Sequence, residues 1–348
     1  EKVTKDDNGH TTVVPPKTYT FDVPLVVYHG PVMVQNKRVR FGLGAATGEL
    51  SLPDGYQEEF SALFKEHSTK PKLYVRLFVS YLNKARIETD IPEFELYTKQ
   101  HDSEIEWLGM ESDLRFSPES SHLQGHFLLQ GIRIIGKQYR LILNKLATAY
   151  DVHKSKSGLF LGSAELKSPV LQIISNGQTE LELKQLELRS NSDIDNQLFE
   201  SSFRGAFAGL TSRENHYGPA ELVIAIKNID ADTLADLNQS YSKMKHVDTT
   251  GAQAQQILLS LLPEVPKLLE KGAVLEVSTL SVALGDGGKI EGHLRLAFPK
   301  LAAGQQAPLQ VLPKVEGEGY LRIPRDFLKM VLVRSYKDRL MKQEANET

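Results

Sequence analysis

The glycine run Phe41-Gly42-Leu43-Gly44-Ala45-Ala46-Thr47-Gly48 is the part of the chain closest to a phosphate-binding motif. Glycines in such a run bring backbone N–H groups close to an anion. The residues that follow, Glu49-Leu50-Ser51-Leu52, have the pattern of a strand. A phosphate loop requires a helix there, because the helix N-terminus holds the anion. We therefore interpret the run as a glycine-kinked strand and not as a nucleotide site.

A second candidate for chemistry is Ser240-Tyr241-Ser242-Lys243, which fits the pattern Ser-x-x-Lys. In that pattern a lysine activates a nearby serine hydroxyl as a nucleophile. The companion motifs Lys-Thr-Gly and Ser-Asp-Asn are missing from the sequence, and so is the Gly-x-Ser-x-Gly elbow of α/β-hydrolases. Tyr241 also belongs to an apolar helix stripe, so we interpret the tetrapeptide as part of a solvated helix.

The histidines and carboxylates of the sequence occur at spacings that fit metal sites poorly. His122 and His126 are four residues apart, but they lie in a segment that alternates like a strand, where that spacing spans about 13 Å. We interpret His126 and His293, which both follow a glycine, as residues of the sheet surface. The carboxylate pairs at 193 and 195 and at 230 and 232 lack the rest of a calcium loop, so we expect turn and capping roles for them. The sequence thus predicts no catalytic residue, no metal site and no cofactor.

Composition excludes several further classes of function. The 348 residues carry a formal net charge of -3, so no overall positive field favours binding to nucleic acid. Because the chain has no cysteine, disulfides, thiolate metal sites and cysteine nucleophiles are excluded. No run of apolar residues reaches the length of a membrane-spanning helix. The chain begins at Glu1 rather than methionine, so we expect a leader or anchor to have preceded it.

Alternation of apolar and polar residues with a period of two dominates the sequence and predicts strands with one apolar face. In residues 72–79, for example, Leu73, Val75 and Leu77 alternate with Lys, Tyr and Arg. Turn residues such as Ser-Asn-Gly at 175–177 predict hairpins between these strands. The fold class is therefore α+β and β-rich, with antiparallel meanders and a few amphipathic helices packed on the sheet.

The order of the predicted elements indicates a repeated strand–helix–hairpin unit. The first copy comprises strand 38–52, helix 55–67 and the pair 72–81 and 85–98. The second comprises strand 220–228, a helical stretch over 231–271, and the pair 273–284 and 289–298. A third begins with strand 319–323 and helix 325–342. We divide the chain into an N-terminal module with a flexible start at 1–103, a meander at 104–216, a second module at 217–300, and a linker, strand and C-terminal helix at 301–348.

The predicted helix 325–342 has apolar residues at three- and four-residue spacing beside Arg325, Lys329 and further cations. Such a basic face could lie on an anionic membrane. Asp326 and Asp338 interrupt it, and we expect the apolar residues to pack on a sheet instead.

Several short segments resemble a known family. They are Val26-Val27-Tyr28-His29-Gly30-Pro31, Tyr217-Gly218-Pro219-x-Glu221-Leu222, Ile229-Asp230-Ala231-Asp232-Thr233-Leu234 with Tyr241, and the hairpin over 272–298. Together they resemble the YdgA-like family of uncharacterised bacterial envelope proteins over residues 21–342. The resemblance implies an N-terminal membrane anchor, a periplasmic location and a further C-terminal hairpin. It carries no active-site residues over to this chain.

We therefore expect a non-catalytic periplasmic binding or scaffold protein of the envelope, tethered to the inner membrane. Its partners would be other envelope proteins or a lipid-like ligand, without nucleic acid, and a homo-oligomer stays open. The alternative is a carrier of lipid or another apolar ligand in a sheet-lined groove, since alternation alone does not distinguish a filled core from an open groove. A hydrolase is the third class, and it would require a polar pocket with a perturbed carboxylate or histidine.

Overall fold

The structure is a computed structural model. It describes residues 2–5, 11–14, 24–35, 38–52, 54–100, 102–117, 121–244, 265–300, 314–333 and 335–336. The strands are β1 Lys2–Lys5, β2 Thr11–Val14, β3 Leu25–His29, β4 Val32–Gln35, β5 Arg38–Phe41, β6 Gly44–Ser51, β7 Lys72–Val79, β8 Ala85–Ile91, β9 Phe94–Tyr97, β10 Glu104–Trp107, β11 Met110–Ser117, β12 His122–Ile135, β13 Tyr139–Lys154, β14 Phe160–Ser175, β15 Gln178–Asp195, β16 Leu198–Phe207, β17 Gly209–Ser212, β18 Asn215–Asp230, β19 Val274–Leu284, β20 Lys289–Ala297 and β21 Glu316–Arg322. The helices are α1 Gln57–Leu63, which follows a 3₁₀ turn at Asp54–Tyr56, α2 Ala231–Met244, α3 Val265–Leu269 and a helix over residues 325–333.

One antiparallel sheet contains most of these strands. Fourteen strands lie side by side in the order β3-β6-β7-β8-β11-β12-β13-β14-β15-β16-β18-β19-β20-β21. The short strands β9, β10 and β17 extend this sheet, and β1–β2 and β4–β5 form separate hairpins. The predicted boundaries near 103 and 216 fall within this sheet, because β9 pairs with β10 and β17 pairs with β18. The prediction of a β-rich α+β fold with an antiparallel sheet is confirmed.

Turn chemistry explains how the hairpins close. Asn176 and Gly177 both have positive φ, 51° and 77°, as the turn between β14 and β15 requires. Between β19 and β20, the Asp286 side chain accepts a hydrogen bond from the Gly288 N–H at 2.9 Å. The predicted hairpin at 175–177 is therefore confirmed, and a second hairpin closes at 285–288.

Several predicted elements differ in extent from the observed ones. The predicted strand 38–52 is split into β5 and β6 at Gly42, where a Cβ would lie 2.5 Å from the Val79 carbonyl oxygen. The predicted strand 85–98 is split into β8 and β9 around Pro92, which has no N–H for the ladder. In the predicted helical stretch 231–271, α2 and α3 are observed, and residues 245–264 lie outside the described residues.

Buried residues are few in the described part of the chain. Six of the twelve buried hydrophobic residues are alanines, which contribute little core volume. One small cluster joins Leu159, Leu161 and Ala235 of α2, with Ile194 and Phe199 packed against it. The remaining sheet has no comparable cluster among the described residues. A hydrophobic core therefore does not account for the side chains on its two faces.

Candidate functional site

The register of the fourteen strands separates uncharged from charged side chains. Residues that are paired across neighbouring antiparallel strands point to the same face of a sheet. One such row crosses the whole sheet and consists of Val27, Ala46, Leu77, Ile87, Leu114, Gly125, Tyr150, Ala164, Ser190, Phe203, Ile224, Val277, Leu294 and Gly319. No Asp, Glu, Lys or Arg occurs in this row.

Two flanking rows on the same face have the same character. One consists of Leu25, Gly48, Val75, Thr89, Ser112, Phe127, Thr148, Leu166, Leu188, Gly205, Leu222, Leu280, Gly292 and Leu321. The other consists of His29, Gly44, Val79, Ala85, Phe116, Leu123, Val152, Gly162, Ser192, Ser201, Ile226, Leu275, Leu296 and Gly317. We call these three rows together the uncharged face.

The uncharged face is open. Of its residues only Ala46 and Gly292 are buried, and the others are half-buried or exposed. Phe116 and Phe203 near the middle are 41% and 39% exposed, and Leu321 at one edge is 59% exposed. A second layer packed on this face would bury such side chains, as in a β-sandwich. The described residues provide no such layer.

Strand spacing gives the dimensions of the uncharged face. Neighbouring strands lie about 4.8 Å apart, so fourteen strands extend the face over about 60 Å. Rows two residues apart along a strand are separated by about 7 Å, so three rows cover a strip about 14 Å wide between the outer Cα positions. Such a strip is long enough for an extended apolar chain, and it offers no charged partner to one.

The opposite face, which we call the charged face, contains cross-strand ion pairs. Glu88 pairs with Arg76 and Arg86, each at 3.0 Å, and with Arg40 at 3.7 Å. Asp113, which is only 6% exposed, accepts hydrogen bonds from Arg86 and from Arg115. The Arg86 guanidinium, assisted by Arg115, holds the pKa of Asp113 below its usual value despite the opposing effect of burial.

A second ion-pair network lies several strands further along the charged face. Glu165 contacts Lys167 at 2.8 Å and Arg189 at 2.7 Å. The Lys167 ammonium, followed by Arg189, holds the pKa of Glu165 below its usual value. Arg204 donates a hydrogen bond from Nε to Glu221 at 2.7 Å. Because its pKa is lowered, Glu165 is ionised at neutral pH and is a poor general acid.

A groove of about 850 Å³ lies between the two networks on the charged face. Asp113 and Arg115 line one end, and Arg189 and Arg204 line the other. Its lining also includes small residues such as Ser163 and Ala164. It continues into a smaller depression of about 420 Å³ that shares Asp113. A neutral or zwitterionic polar ligand suits its balanced lining better than an ion does.

The histidines from the sequence analysis lie on the sheet without forming a metal site. His122 and His126 are both in β12, and His126 lines the groove. The His122 Nε2 lies 2.5 Å from Asp151 Oδ1. His293 in β20 stacks on Tyr320 with ring centroids 6.3 Å apart. Within the described ranges, no group of three or more His, Cys, Asp or Glu side chains could hold a metal ion.

The other motifs are also located in regular structure. Gly44 begins strand β6, which confirms the interpretation of the glycine run as a strand. Asp230 Oδ1 accepts a hydrogen bond from the Thr233 N–H at 2.9 Å at the start of α2, which confirms the capping role. Asp193 Oδ1 accepts one from the Ile194 N–H, but Asp193 lies within strand β15, so the turn role expected for it is wrong. The Ser240–Lys243 tetrapeptide lies in α2, and its side chains are outside the described ones.

The uncharged face was missed by sequence reasoning. Alternation predicts that each strand has an apolar side, but it does not determine the register that aligns fourteen apolar sides in continuous rows.

Helices long and apolar enough to cross a bilayer were not found in the described segments.

Comparison with known proteins places the chain in a family. A sequence model for bacterial proteins of unknown function, DUF945, matches residues 2–348, so the chain belongs to that family. Neither a curated protein nor a solved structure matches it.

Proposed function

We propose that the protein is a non-catalytic binding protein of the bacterial envelope and that its uncharged face holds an elongated apolar ligand, the acyl chains of a lipid. The observation that carries this proposal is the open strip of three uncharged rows across fourteen strands. Monomeric proteins rarely leave a continuous apolar surface of this size exposed unless it binds something.

The chemistry of the strip favours acyl chains over a globular partner. Its rows combine Leu, Ile, Val and Phe with Gly, Ala and Ser, so shallow positions alternate with tall side chains. A flexible methylene chain adapts to such a surface, and its burial contributes about 0.8 kcal/mol for each CH₂ group. Because the strip is open along its length, a ligand can exchange without unfolding of the sheet.

Non-catalytic binding is supported by the charged face. Glu88, Asp113 and Glu165 all lie in ion pairs with Arg or Lys. These contacts lower the pKa of Asp113 and the pKa of Glu165. Ion pairs of this kind stabilise a sheet that lacks a large core. The lowered pKa values of Asp113 and Glu165 are the opposite of the raised pKa that a general acid needs.

The periplasmic location and the tether to the inner membrane are also part of the proposal. They rest on the resemblance of residues 21–342 to YdgA-like envelope proteins. A location between two membranes would supply lipid to the uncharged face. Other envelope proteins would then be the partners that deliver or receive it.

We also infer that two segments of the sheet are copies of one unit. In each segment a helix follows a strand, and the next strand returns to pair with the strand before the helix. This holds for β6, α1 and β7, and again for β18, α2 and β19. Two copies of one unit would account for a sheet of this length.

The ligand proposal is tested by placing a charge on each face. Ser190 is an exposed residue of the uncharged face, and Ser163 is an exposed residue of the charged face one strand away. Because both serines are exposed, Ser190→Glu and Ser163→Glu should fold alike. The protein is purified from bacteria, bound lipid is measured by native mass spectrometry, and binding of the fluorescent fatty acid cis-parinaric acid is titrated.

We expect lipid to copurify with the natural protein, and Ser190→Glu to weaken binding of the probe at least about tenfold, since it buries a carboxylate against acyl chain. Ser163→Glu should leave binding unchanged. Absence of both lipid and probe binding in the natural protein would overturn the proposal, and so would equal effects of the two substitutions.

A scaffold role is the second candidate, and the edge strand β21 favours it. All seven residues of β21 are exposed, and among the described residues the strand pairs only with β20. Such an edge can add a strand from another protein. In a scaffold, Gly319→Pro in β21 would abolish partner binding, whereas Ser190→Glu would have no effect.

A further inference from the structure

A line of irregularities crosses the long strands of the sheet. It contains one residue from each of β12 to β15, which the ladders between these strands skip: Gln130, Lys145, Pro169 and Gln185. Lys145 and Gln185 have positive φ, 42° and 53°, as some residues that interrupt a strand do. We call this line the crease and the four residues the crease residues.

The crease continues into the strands on both sides. On one side β10 gives way to β11 opposite Gln130, whose N–H donates to the Gly109 carbonyl at 2.8 Å. On the other side β16 gives way to β17 at Ala208, whose N–H donates to the Lys184 carbonyl at 2.9 Å. At the same level β8 and β9 separate, and the register of β18 shifts. The crease thus extends from β8 and β9 to β18.

Burial shows which way the sheet bends at the crease. All four crease residues are exposed. Leu129 and Ser168, which directly precede two of them, are only 5% and 6% exposed. They lie two residues beyond Phe127 and Leu166 of the uncharged face, and therefore on the same side of the sheet. A residue that interrupts a ladder bends its strand, and here the inside of the bend is on the uncharged face.

A second uncharged surface, which we call the second wall, lies beyond the crease. Because each crease residue shifts the alternation by one position, Leu143 lies on the same side as Leu146. One register row of the second wall consists of Phe94, Trp107, Ile132, Leu143, Leu171, Leu183, Leu210 and Tyr217. The next row consists of Leu96, Ile105, Ile134, Leu141, Ile173, Leu181, Ser212 and Asn215. Neither row contains Asp, Glu, Lys or Arg, whereas on the opposite side Arg133 pairs with Glu106 at 3.0 Å.

The dimensions of the crease indicate the class of ligand. It crosses eight strand positions, and at about 4.8 Å for each step it extends over about 34 Å. The hydrocarbon core of a bilayer, which is two acyl chains thick, measures about 30 Å. The crease therefore has the length of two acyl chains laid end to end. Uncharged side chains line it on two sides, so it removes more methylene surface from water than a flat strip does.

A polar group without a partner lies at the bottom of the crease. The Ser168 hydroxyl oxygen is buried, and it has no hydrogen-bond partner among the described residues. Buried hydroxyls are nearly always hydrogen-bonded, because burial removes their hydrogen bonds to water. A neutral oxygen of a ligand, such as an ester carbonyl, supplies the missing partner without bringing a charge into the crease.

We propose that the ligand is a lipid with two acyl chains that lies in the crease, between the uncharged face and the second wall. The Ser168 hydroxyl donates a hydrogen bond to one of its ester oxygens. This inference rests on the lipid-binding proposal, to which it adds the second wall, Ser168 and the number of acyl chains. A flat strip would require none of these.

The second wall is tested by placing a charge on either side of β17. Ser212 belongs to the second wall, and its neighbour Thr211 points to the opposite side. Both are half-buried, so Ser212→Glu and Thr211→Glu form a matched pair. Circular dichroism and urea midpoints check that the variants fold. Binding is titrated with cis-parinaric acid and with phosphatidylcholine that contains one cis-parinaroyl chain.

We expect Ser212→Glu to weaken binding of the diacyl probe at least about tenfold, because it buries a carboxylate against acyl chain. Thr211→Glu should bind this probe like the natural protein, and the diacyl probe should bind more tightly than cis-parinaric acid. Because the chain has no cysteine, Ser212→Cys and Thr211→Cys each give a single site for an environment-sensitive dye. Only the dye at position 212 should report an apolar environment when lipid is added.

Ser168→Ala tests the polar contact separately. We expect it to weaken binding of the diacyl probe about fivefold, through the loss of one hydrogen bond. Stability without ligand should not fall, because the hydroxyl has no partner in the part of the chain that the structure describes. A less stable variant that binds the probe like the natural protein would show that the hydroxyl is bonded within the protein, which overturns its assignment to the ligand.

The remaining outcomes separate this inference from the lipid-binding proposal. Weaker binding by Ser190→Glu but not by Ser212→Glu would overturn the second wall and leave lipid binding by the uncharged face intact. Equal weakening by Ser212→Glu and Thr211→Glu would also overturn the second wall. Tighter binding of cis-parinaric acid than of the diacyl probe would overturn the lipid class. Absence of binding of either probe to the natural protein would overturn lipid binding itself.

Discussion

Arg86 donates two parallel hydrogen bonds to the carboxylate of Asp113, from Nε to Oδ1 at 2.9 Å and from Nη2 to Oδ2 at 2.7 Å. The two residues lie on the paired strands β8 and β11, on the charged face. Bidentate pairs of this kind are stronger and more directional than a single contact. The pair therefore fixes the junction between the N-terminal strands and the meander, where apolar burial is limited.

Replacement of Asp113 should destabilise the protein. Asp113→Asn removes the charge that Arg86 and Arg115 share, and it leaves a nearly buried amide between two cations. We expect a loss of about 1–3 kcal/mol in the free energy of unfolding, measured by urea titration at pH 7. The matched control is Asp151→Asn, whose side chain is 50% exposed and which should change stability by less than about 0.5 kcal/mol. Equal losses for the two variants would contradict the role given to Asp113.

Stability should fall on acidification, in part because of the same residue. The pKa of Asp113 is lower in the folded protein than in the unfolded chain, mainly because of its hydrogen bonds from Arg86. Its contribution is therefore fully present above the unfolded value near 4, and it is lost as pH falls through the folded value. Urea midpoints at a series of pH values between 7 and 3 measure this loss.

The variant Asp113→Asn shows how much of the loss of stability at low pH is due to Asp113. It should show a shallower decline below about pH 4 than the natural protein, because the group with the lowered pKa is gone. Parallel declines for the two proteins would show that Asp113 does not contribute.

Asp230 should be the helix cap that stabilises α2. Its Oδ1 accepts hydrogen bonds from the Thr233 N–H at 2.9 Å and from the Thr233 hydroxyl at 2.7 Å. Asp230→Ala should therefore cost about 1 kcal/mol, measured by urea titration. Asp232→Ala, in the exposed first turn of the same helix, should cost only a few tenths of a kcal/mol through the helix dipole. The reverse order would assign the cap to Asp232.

Asp230 and Asp232 show which feature of the α2 cap can be predicted from the sequence and which cannot. Both are cap residues by type, and both precede the apolar stripe of α2. The hydrogen bond depends on the backbone angle at which β18 ends, which residue type does not specify. Local patterns therefore predict that a cap exists within two residues, and the fold selects which one is used.

Strands were predictable for a related reason, and their register was not. The alternation of Leu73, Val75 and Leu77 with polar residues reflects a strand with two different faces, and β7 confirms it. A shift of two residues between neighbouring strands would preserve that alternation on every strand. The continuous uncharged rows depend on the actual register, which the turns and bulges set. From the sequence alone, an open face and a filled core are therefore equally compatible with the alternation.

The helix after Pro324 illustrates the opposite error. Its apolar spacing predicts packing on the sheet, yet Leu328 and Leu332 are 44% and 61% exposed. Helical periodicity identifies a side that prefers to be covered, but the sequence does not identify what covers it. The expectation that all amphipathic helices pack on the sheet is therefore wrong for the described residues of this helix.

Gly125 should be irreplaceable within the uncharged face, because the ring of its cross-strand partner Tyr150 lies over it. A Cβ at Gly125 would lie 2.6 Å from the Tyr150 hydroxyl oxygen and 2.8 Å from the Asp113 carbonyl oxygen. The tyrosine could move, but the backbone of β11 could not move without weakening the ladder beside Asp113. We expect Gly125→Ala to cost about 1–3 kcal/mol by urea titration. Gly209→Ala is the matched control: no atom lies within 4 Å of its Cβ position, so it should be neutral or slightly stabilising. If both glycines tolerate alanine equally, Tyr150 does not pack on Gly125 in solution, and the surface of the uncharged face differs there from the one described.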